Sequence, residues 1–429
     1  MKKFGFIFAI LFFCGSAFSQ KTGNVIFIHP DGTSIAQYNA TRMLYYGPDG
    51  RLNWDRMTGQ AVYLGHMLDG LSATSNAGAT VHAFGVKVLR SSYGKNGKEI
   101  LYSASGKPYS IMKEAMLSGI KTGLVNSGSI IEPGTGCFVA QTDSRYVYAE
   151  ITKQIVESGV DVILSGGEEW FLPEGVSGVH TKSGKRKDNI NLVESARQLG
   201  YAIVYDKDEL ANLSDTVKKV IGIFAEKHTF NDFSEEELAD RNLPDYKESA
   251  PSVKEMTEAA IKILSKNNSR FFLVTEEEGT DNFANRNNAN GTLDALKRAD
   301  DAIGFVMNYI DANPNTLLVT TADSDAGGMQ VLGITDDVFK NFTGTLPDKF
   351  QNLFVMDGAK GTGTEPFYTA PDKFGNRLPF AVLWASDEDM HGSMLAKAYG
   401  LNSDKMTGTI DNTYIFRLMY LTLFGIELN

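Results

Sequence analysis

The chain is poor in cysteine: of 429 residues, only Cys14 and Cys137 carry a thiol. So few thiols cannot build a disulfide framework, and the fold must rest on its apolar core. A basic surplus is also missing. Lys and Arg number 41 against 52 Asp and Glu, for a net charge of −11, which argues against a nucleic-acid backbone as the partner. No apolar run reaches the roughly 18 residues that a membrane-spanning helix needs, so no integral span is expected. Proline is sparse at 12 residues, while 42% of the chain is hydrophobic and 22% charged. That composition is globular and excludes disordered, collagen-like and coiled-coil chains.

What is present begins with an export signal. Lys2-Lys3, an apolar run from Phe4 to Phe13, and small residues at Ala17 and Ser19 form the pattern of a secretory leader at residues 1–19. Its removal would take Cys14 with it and leave a mature chain, 20–429, in the periplasm or secreted. Beyond the leader, short apolar runs repeatedly end in polar residues and give way to helical patterns. Val25–Ile28 leads to Asp31, Thr122–Val125 to Asn126, Val160–Leu164 to Ser165, and Phe271–Val274 to Glu276. Leu317–Val319 leads to Asp323, and Phe380–Leu383 to Asp389. Helices are expected at Ser144–Ser158, opened by Arg145, and at about 292–311. This alternation predicts an α/β fold with a mainly parallel sheet covered by helices on both faces. Two stretches lack periodicity, Val176–Asn189 with its Lys and Arg residues, read as a solvated loop, and Ser324–Arg377, read as an insertion.

In a parallel sheet, ligands bind at the carboxyl ends of the strands. Those ends here would carry Asp31, Glu276, Asp323 and Asp389. One acid after a strand is an ordinary helix cap, but four at one edge would repel one another unless cations lay between them. Asp281 and Asn285, four residues apart, would share a helical face and add to that set. Thr74-Ser75-Asn76-Ala77-Gly78 is a second signal, because small neighbours leave the Ser75 hydroxyl open to a substrate. A helix starting there would also point amides at an anion. Arg145 has the planar fork that clamps two phosphate oxygens.

These pieces, collinear over roughly residues 23–425, resemble the alkaline phosphatase family. Asn24–Gly32 looks like that family's first strand and Asp-Gly turn, and Ser75 falls on the nucleophile when Gly85-Val86-Lys87 is matched to its Gly-Val-Lys. Thr142-Asp143-Ser144-Arg145 looks like the segment of the phosphate-binding arginine. Glu276 and Asp281 match the acids of Glu-Gly-(x)3-Asp, and Thr321-Ala322-Asp323 matches Thr-Ala-Asp. Ala398-Tyr399-Gly400 and Ile410-Asp411-Asn412-Thr413 resemble the C-terminal pattern. The resemblance implies a three-layer αβα sandwich with a mainly parallel central sheet, formed as one catalytic domain over 20–429 with an insertion near the pocket at about 324–377. It implies hydrolysis of a small phosphate monoester through Ser75 and a phosphoseryl intermediate, with Arg145 holding the phosphate. Two or three divalent metal ions would lie on Asp31, Ser75, Glu132, Glu276, Asp281, Asn285, Asp323 and Asp389. A homodimer is left open.

The chain departs from that family where zinc is bound by imidazole. Asn285, Ser324 and Asp389 stand at positions where histidines are usual, with His391 two residues beyond Asp389. Glu132 stands where Asp or His is usual, Gly134 where Thr is usual, and Thr74 where an acid precedes the nucleophile. Imidazole suits zinc, whereas carboxylate and amide oxygens suit harder ions, so magnesium or calcium is favoured over zinc. The alternatives are a phosphodiesterase or sulfatase on the same scaffold, or a degenerate protein that binds cations or phosphate without catalysis.

Overall fold

The apolar runs assemble into a ten-stranded sheet. The computed structural model describes residues 21–333 and 355–428. The leader, Cys14, Phe339, Phe342, Phe350 and Phe354 lie outside them. The strands are β1 (Asn24–Pro30), β2 (Gly59–Leu64), β3 (Lys121–Ser129), β4 (Val162–Gly166), β5 (Ala202–Val204), β6 (Val220–Ile223), β7 (Phe271–Glu277) and β8 (Thr316–Thr320). After them come β9 (Asp325–Ala326), β10 (Gln330–Gly333), β11 (Val355–Gly358), β12 (Gly361–Thr362), β13 (Phe367–Tyr368), β14 (Pro379–Trp384), β15 (Asp389–Met390), β16 (Leu395–Gly400) and β17 (Thr407–Asp411). The large sheet has the order β17-β2-β16-β8-β1-β7-β3-β4-β6-β5. Every neighbouring pair from β8 to β5 is parallel, and β16 alone runs against its neighbours β8 and β2.

β1 is buried along its whole length, and its alternate side chains feed two cores. Val25 and Phe27 pack with Val81, Phe84, Phe138 and Met419 on one face of the sheet. Ile26 and Ile28 pack with Ile261, Leu296, Ile303 and Val306 on the other. The helices Ser75–Phe84 and Tyr414–Phe424 therefore cover one face, and Val253–Leu264 and Ala289–Ala312 the other. This is the three-layer αβα arrangement. Among the described residues no helix is long and apolar enough to cross a membrane. Cys137 is buried and unbridged.

Three expectations need correction. The Phe380–Leu383 run is a strand, β14, but it belongs to a separate antiparallel sheet with β10, β11, β12 and β13. Its apolar residues cover only one side layer, where Val382 and Trp384 meet Ala40 and Leu293; a hydrophobic run alone does not say which sheet will pair with it. The helix expected from Ser144 starts at Tyr148, so Arg145 sits in the turn ahead of it. The segment read as a solvated basic loop has Arg186 wholly buried, donating to the carbonyls of Ala149 (2.7 Å) and Trp170 (3.1 Å) and to Asp188 (3.1 Å). Phe367, on the insertion, stacks on Phe380 at 5.3 Å and is core.

Replacing Arg186 by Ala leaves two partly buried carbonyls without their donor and empties a large side-chain volume. Arg186→Ala should lower unfolding free energy by about 2–4 kcal/mol in urea melts. A loss under about 1 kcal/mol would show that the loop is held by other contacts.

Candidate active site

The strand register sets the geometry. β1 lies between β7 and β8, with His29 opposite Glu276, Pro30 opposite Glu277, and Ile28 opposite Thr320. On the far side of β7, Asn126 of β3 pairs with Glu276. The carboxyl ends of four strands therefore finish level, bringing Asp31, Glu276 and Asp323 to one place. The Thr280 hydroxyl donates to the carbonyls of Asp31 and Glu277, each at 2.7 Å, and ties the turn after β1 to the turn after β7.

Side chains alternate along β7, so Glu276 and Glu277 face opposite ways; Glu278, past the strand end with helical backbone angles, turns its carboxylate back towards Asp31. Glu277 accepts from the Ser127 hydroxyl (2.7 Å) and lies 3.7 Å from the Arg298 guanidinium. Glu276 accepts from the Asn126 amide, which also reaches the Thr135 hydroxyl at 2.9 Å. Oxygens of Asp31, Glu278 and Asp281 lie within 4.8 Å of one another, as do ligand atoms of His29, Asp31 and Glu276. Asp281 and Asn285 meet across one helical turn at 3.1 Å, and the same Asn285 amide donates to Asp389 at 3.3 Å. Asp389 does not arrive on a strand of the large sheet, as the sequence suggested. It is carried by a two-stranded ribbon in which β15 pairs with β9.

Ser75 opens the buried helix Ser75–Phe84. Its N-cap, Thr74, makes no capping bond and gives its hydroxyl to the Arg90 carbonyl at 2.7 Å, so among the described residues no side chain covers the first-turn amides. Gly78, one turn on and on the same face, presses against Asp323, and a Cβ there would collide with its carboxylate. That close approach sets the Ser75 end of the helix beside the acids. Arg145 reaches back to the side chain of Asn76 (3.5 Å) and lies 3.9 Å from Glu132. Glu132 is also 3.9 Å from His228.

The charges here are poorly compensated. One carboxylate oxygen each on Asp31, Glu276, Glu278 and Asp281, both on Asp323, and the carbonyl oxygen of Asn285 are buried without a hydrogen-bond partner among the described residues. Burial, reinforced by the Asp31 charge, holds Glu276 and Asp323 above the usual carboxylate range. Burial and the Asp389 charge do the same to Asp281, and burial and the Glu132 charge to Glu278. Burial also raises Glu132, against the pull of Arg145. His29, between the Thr321 carbonyl (2.8 Å) and Asp31 (3.1 Å), is driven the opposite way: burial disfavours its cation, but Asp31 outweighs this and lifts it to about 10. Asp31 is correspondingly lowered; burial opposes its ionisation, and His29 overcomes that. These orphaned oxygens are the donor set of hard divalent cations, and they fit such ions.

Eight of the nine residues singled out from sequence thus lie in or against this cluster, and the ninth, Ser75, opens the helix whose Gly78 touches Asp323. Glu278 and His29 belong to the cluster as well and were missed. The run of three consecutive acids at the end of a strand could have drawn attention to Glu278; nothing in the sequence marks His29. Asp325 stands aside, accepting from Gln37 at 3.4 Å, and His391 is exposed.

Residues 22–424 match the family model described as alkaline phosphatase. Alkaline phosphatase 4 of Bacillus subtilis is 29% identical over 60% of this chain, and the match spans 50% of that protein. The alkaline phosphatase of Escherichia coli is 25% identical over 93% of this chain and 86% of its own length. Alkaline phosphatase from Thermus thermophilus superposes with a TM-score of 0.72 at 20% identity, covering 97% of this chain and 96% of that one.

The charge balance predicts how a chelated, metal-free protein responds to pH. An acid whose pKa is raised on folding keeps its proton in the folded state and loses it in the unfolded state. Its contribution is therefore full below its unfolded value near 4.5 and is lost as pH rises through its folded value, about 8 for Glu276. His29 acts in the same sense, losing its contribution from its unfolded 6.5 up to about 10. Thermal midpoints of chelated protein should fall steadily between pH 5 and 9, and millimolar magnesium should flatten that fall. A flat profile without metal would contradict the arrangement.

Proposed function

Because the chain belongs to the alkaline phosphatase family of phosphoester hydrolases, we propose that it is an exported, metal-dependent phosphate monoester hydrolase with Ser75 as nucleophile. The observation that carries the reading is the meeting of unpartnered buried oxygens with the uncapped helix N-terminus that bears Ser75. The leader-like segment at residues 1–19 supports export.

An incoming phosphate would set its non-bridging oxygens against the first-turn amides after Thr74, where the helix dipole favours anions. Arg145, steered by Asn76 and Glu132, would clamp two of those oxygens as charge builds on them. The Ser75 oxygen attacks phosphorus, its hydroxyl proton passing to solvent. The bond from phosphorus to the ester oxygen breaks, and the alcohol leaves after taking up a proton. Water then attacks the phosphoserine, releasing inorganic phosphate and returning the proton to Ser75. His29 holds the Asp31 carboxylate in place from behind. Divalent cations on Asp31, Asp323, Glu276, Glu132, Asp281, Asn285 and Asp389 would supply Lewis acidity, lowering the pKa of the Ser75 hydroxyl and of water and offsetting charge on the leaving oxygen. With oxygen donors in place of the usual imidazoles, magnesium, calcium or manganese suits the site better than zinc.

Ser75→Ala should reduce hydrolysis of an aryl phosphate by roughly a thousandfold or more with the fold intact by circular dichroism; unchanged turnover would remove Ser75 from the reaction. Activity should vanish on chelation and return with magnesium, calcium or manganese, at an alkaline optimum. Equal or higher rates restored by zinc alone would overturn the choice of ion. Mass analysis of protein from the periplasm or medium should find a mature chain starting at Gln20.

A further inference from the structure

Resting on the metal-dependent reading above, we infer that Glu278 is a metal ligand, completing with Asp31 and Asp281 a hard-cation position. Three independent features place it there. Glu278 is 4% exposed, yet one of its carboxylate oxygens has no hydrogen-bond partner among the described residues. Its oxygen comes within 4.8 Å of oxygens of both Asp31 and Asp281. Its backbone is pinned from both sides, because the Glu278 amide donates to the Ser127 hydroxyl at 2.9 Å and its carbonyl accepts from the Asp281 amide at 3.1 Å.

Room for this carboxylate is made by glycine. A Cβ on Gly128 would lie 2.7 Å from Cγ of Glu278 and 2.9 Å from Cγ of Glu132, so any other residue would push both acids away. A buried carboxylate kept for structure is ordinarily met by a cation or by amide donors, as Glu277 is by Ser127, the Gly279 amide and Arg298. Among the described residues Glu278 makes no such ion pair: Arg145 exerts its charge on it only from beyond ion-pair distance, and the acids Glu132, Glu276, Asp31 and Asp281 crowd it. Three carboxylate oxygens around one point are the donors of calcium, manganese or magnesium.

The test is titration of manganese into chelated protein by calorimetry, with bound metal counted by elemental analysis after dialysis. Glu278→Gln should lose one bound equivalent, or bind it about tenfold more weakly, while the remaining equivalents bind as in wild type. Its metal-free form should melt at the same temperature or higher, since a buried carboxyl crowded by other acids is gone. Should Glu278→Gln fail to fold, Glu278→Asp should show the same selective weakening. Wild-type stoichiometry and affinity in the folded variants would overturn the assignment of Glu278 alone. A wild-type protein that takes up no manganese, magnesium or calcium would overturn the metal-dependent reading and this inference with it.

Discussion

Repulsion among buried carboxylates is the constraint that shapes this molecule. Two unit charges about 4 Å apart repel by roughly 4 kcal/mol at an effective dielectric near 20, and a folded protein is stable by only about 5–15 kcal/mol. Asp31, Glu276, Glu278, Asp281 and Asp323 are all buried at the ends of adjoining strands and turns. The protein's own answers are few. His29 lies against Asp31, Arg145 stands off Glu132, and several of the acids are pushed toward their protonated forms. A cluster that opposes folding yet is held so firmly in register is understandable as a place where positive charge arrives from outside.

The surrounding fold is arranged to keep those acids still. β1 is flanked on both sides by parallel strands, so the main chain before Asp31 cannot shift without breaking two ladders. Thr280 ties the two turns together, and Asn126 holds Glu276. Glycine appears where backbone or helix must come close: Gly78 brings the Ser75 helix onto Asp323, and Gly134 leaves space filled by the Glu276 carboxylate. Rigid supports matter here because the charges at stake act over a few ångströms.

Much of this was legible in the chain. The runs at Val25, Thr122, Phe271 and Leu317 were correctly read as strands because both faces of a parallel sheet are apolar, which makes each run continuous. Asp31, Glu276 and Asp323 followed from the rule that such strands present their carboxyl ends to a ligand. Where reading failed, the reason was physical each time. Phe380–Leu383 is as apolar as a central strand but packs only against a side layer, and hydrophobicity does not encode its partner. Arg145 precedes a helix rather than opening one, a boundary that periodicity sets only loosely. Arg186 looked like solvent-facing charge because the carbonyls of Ala149 and Trp170 that bury it come from elsewhere in the chain.

The sequence by itself determined the layered α/β class, the collinear family motifs, and the oxygen-rich character of the site, since all three depend on residue type and local order. Only the tertiary structure decided which acids share a point in space. Glu278 joins Asp31 while Glu277 turns to Arg298, Asp389 reaches Asn285 on a ribbon outside the main sheet, and His29 settles against Asp31. Most of those outcomes follow from strand register and from the turns that leave the strands, and the pairing of β1 with β7 and β8 that sets this register joins segments far apart in the chain.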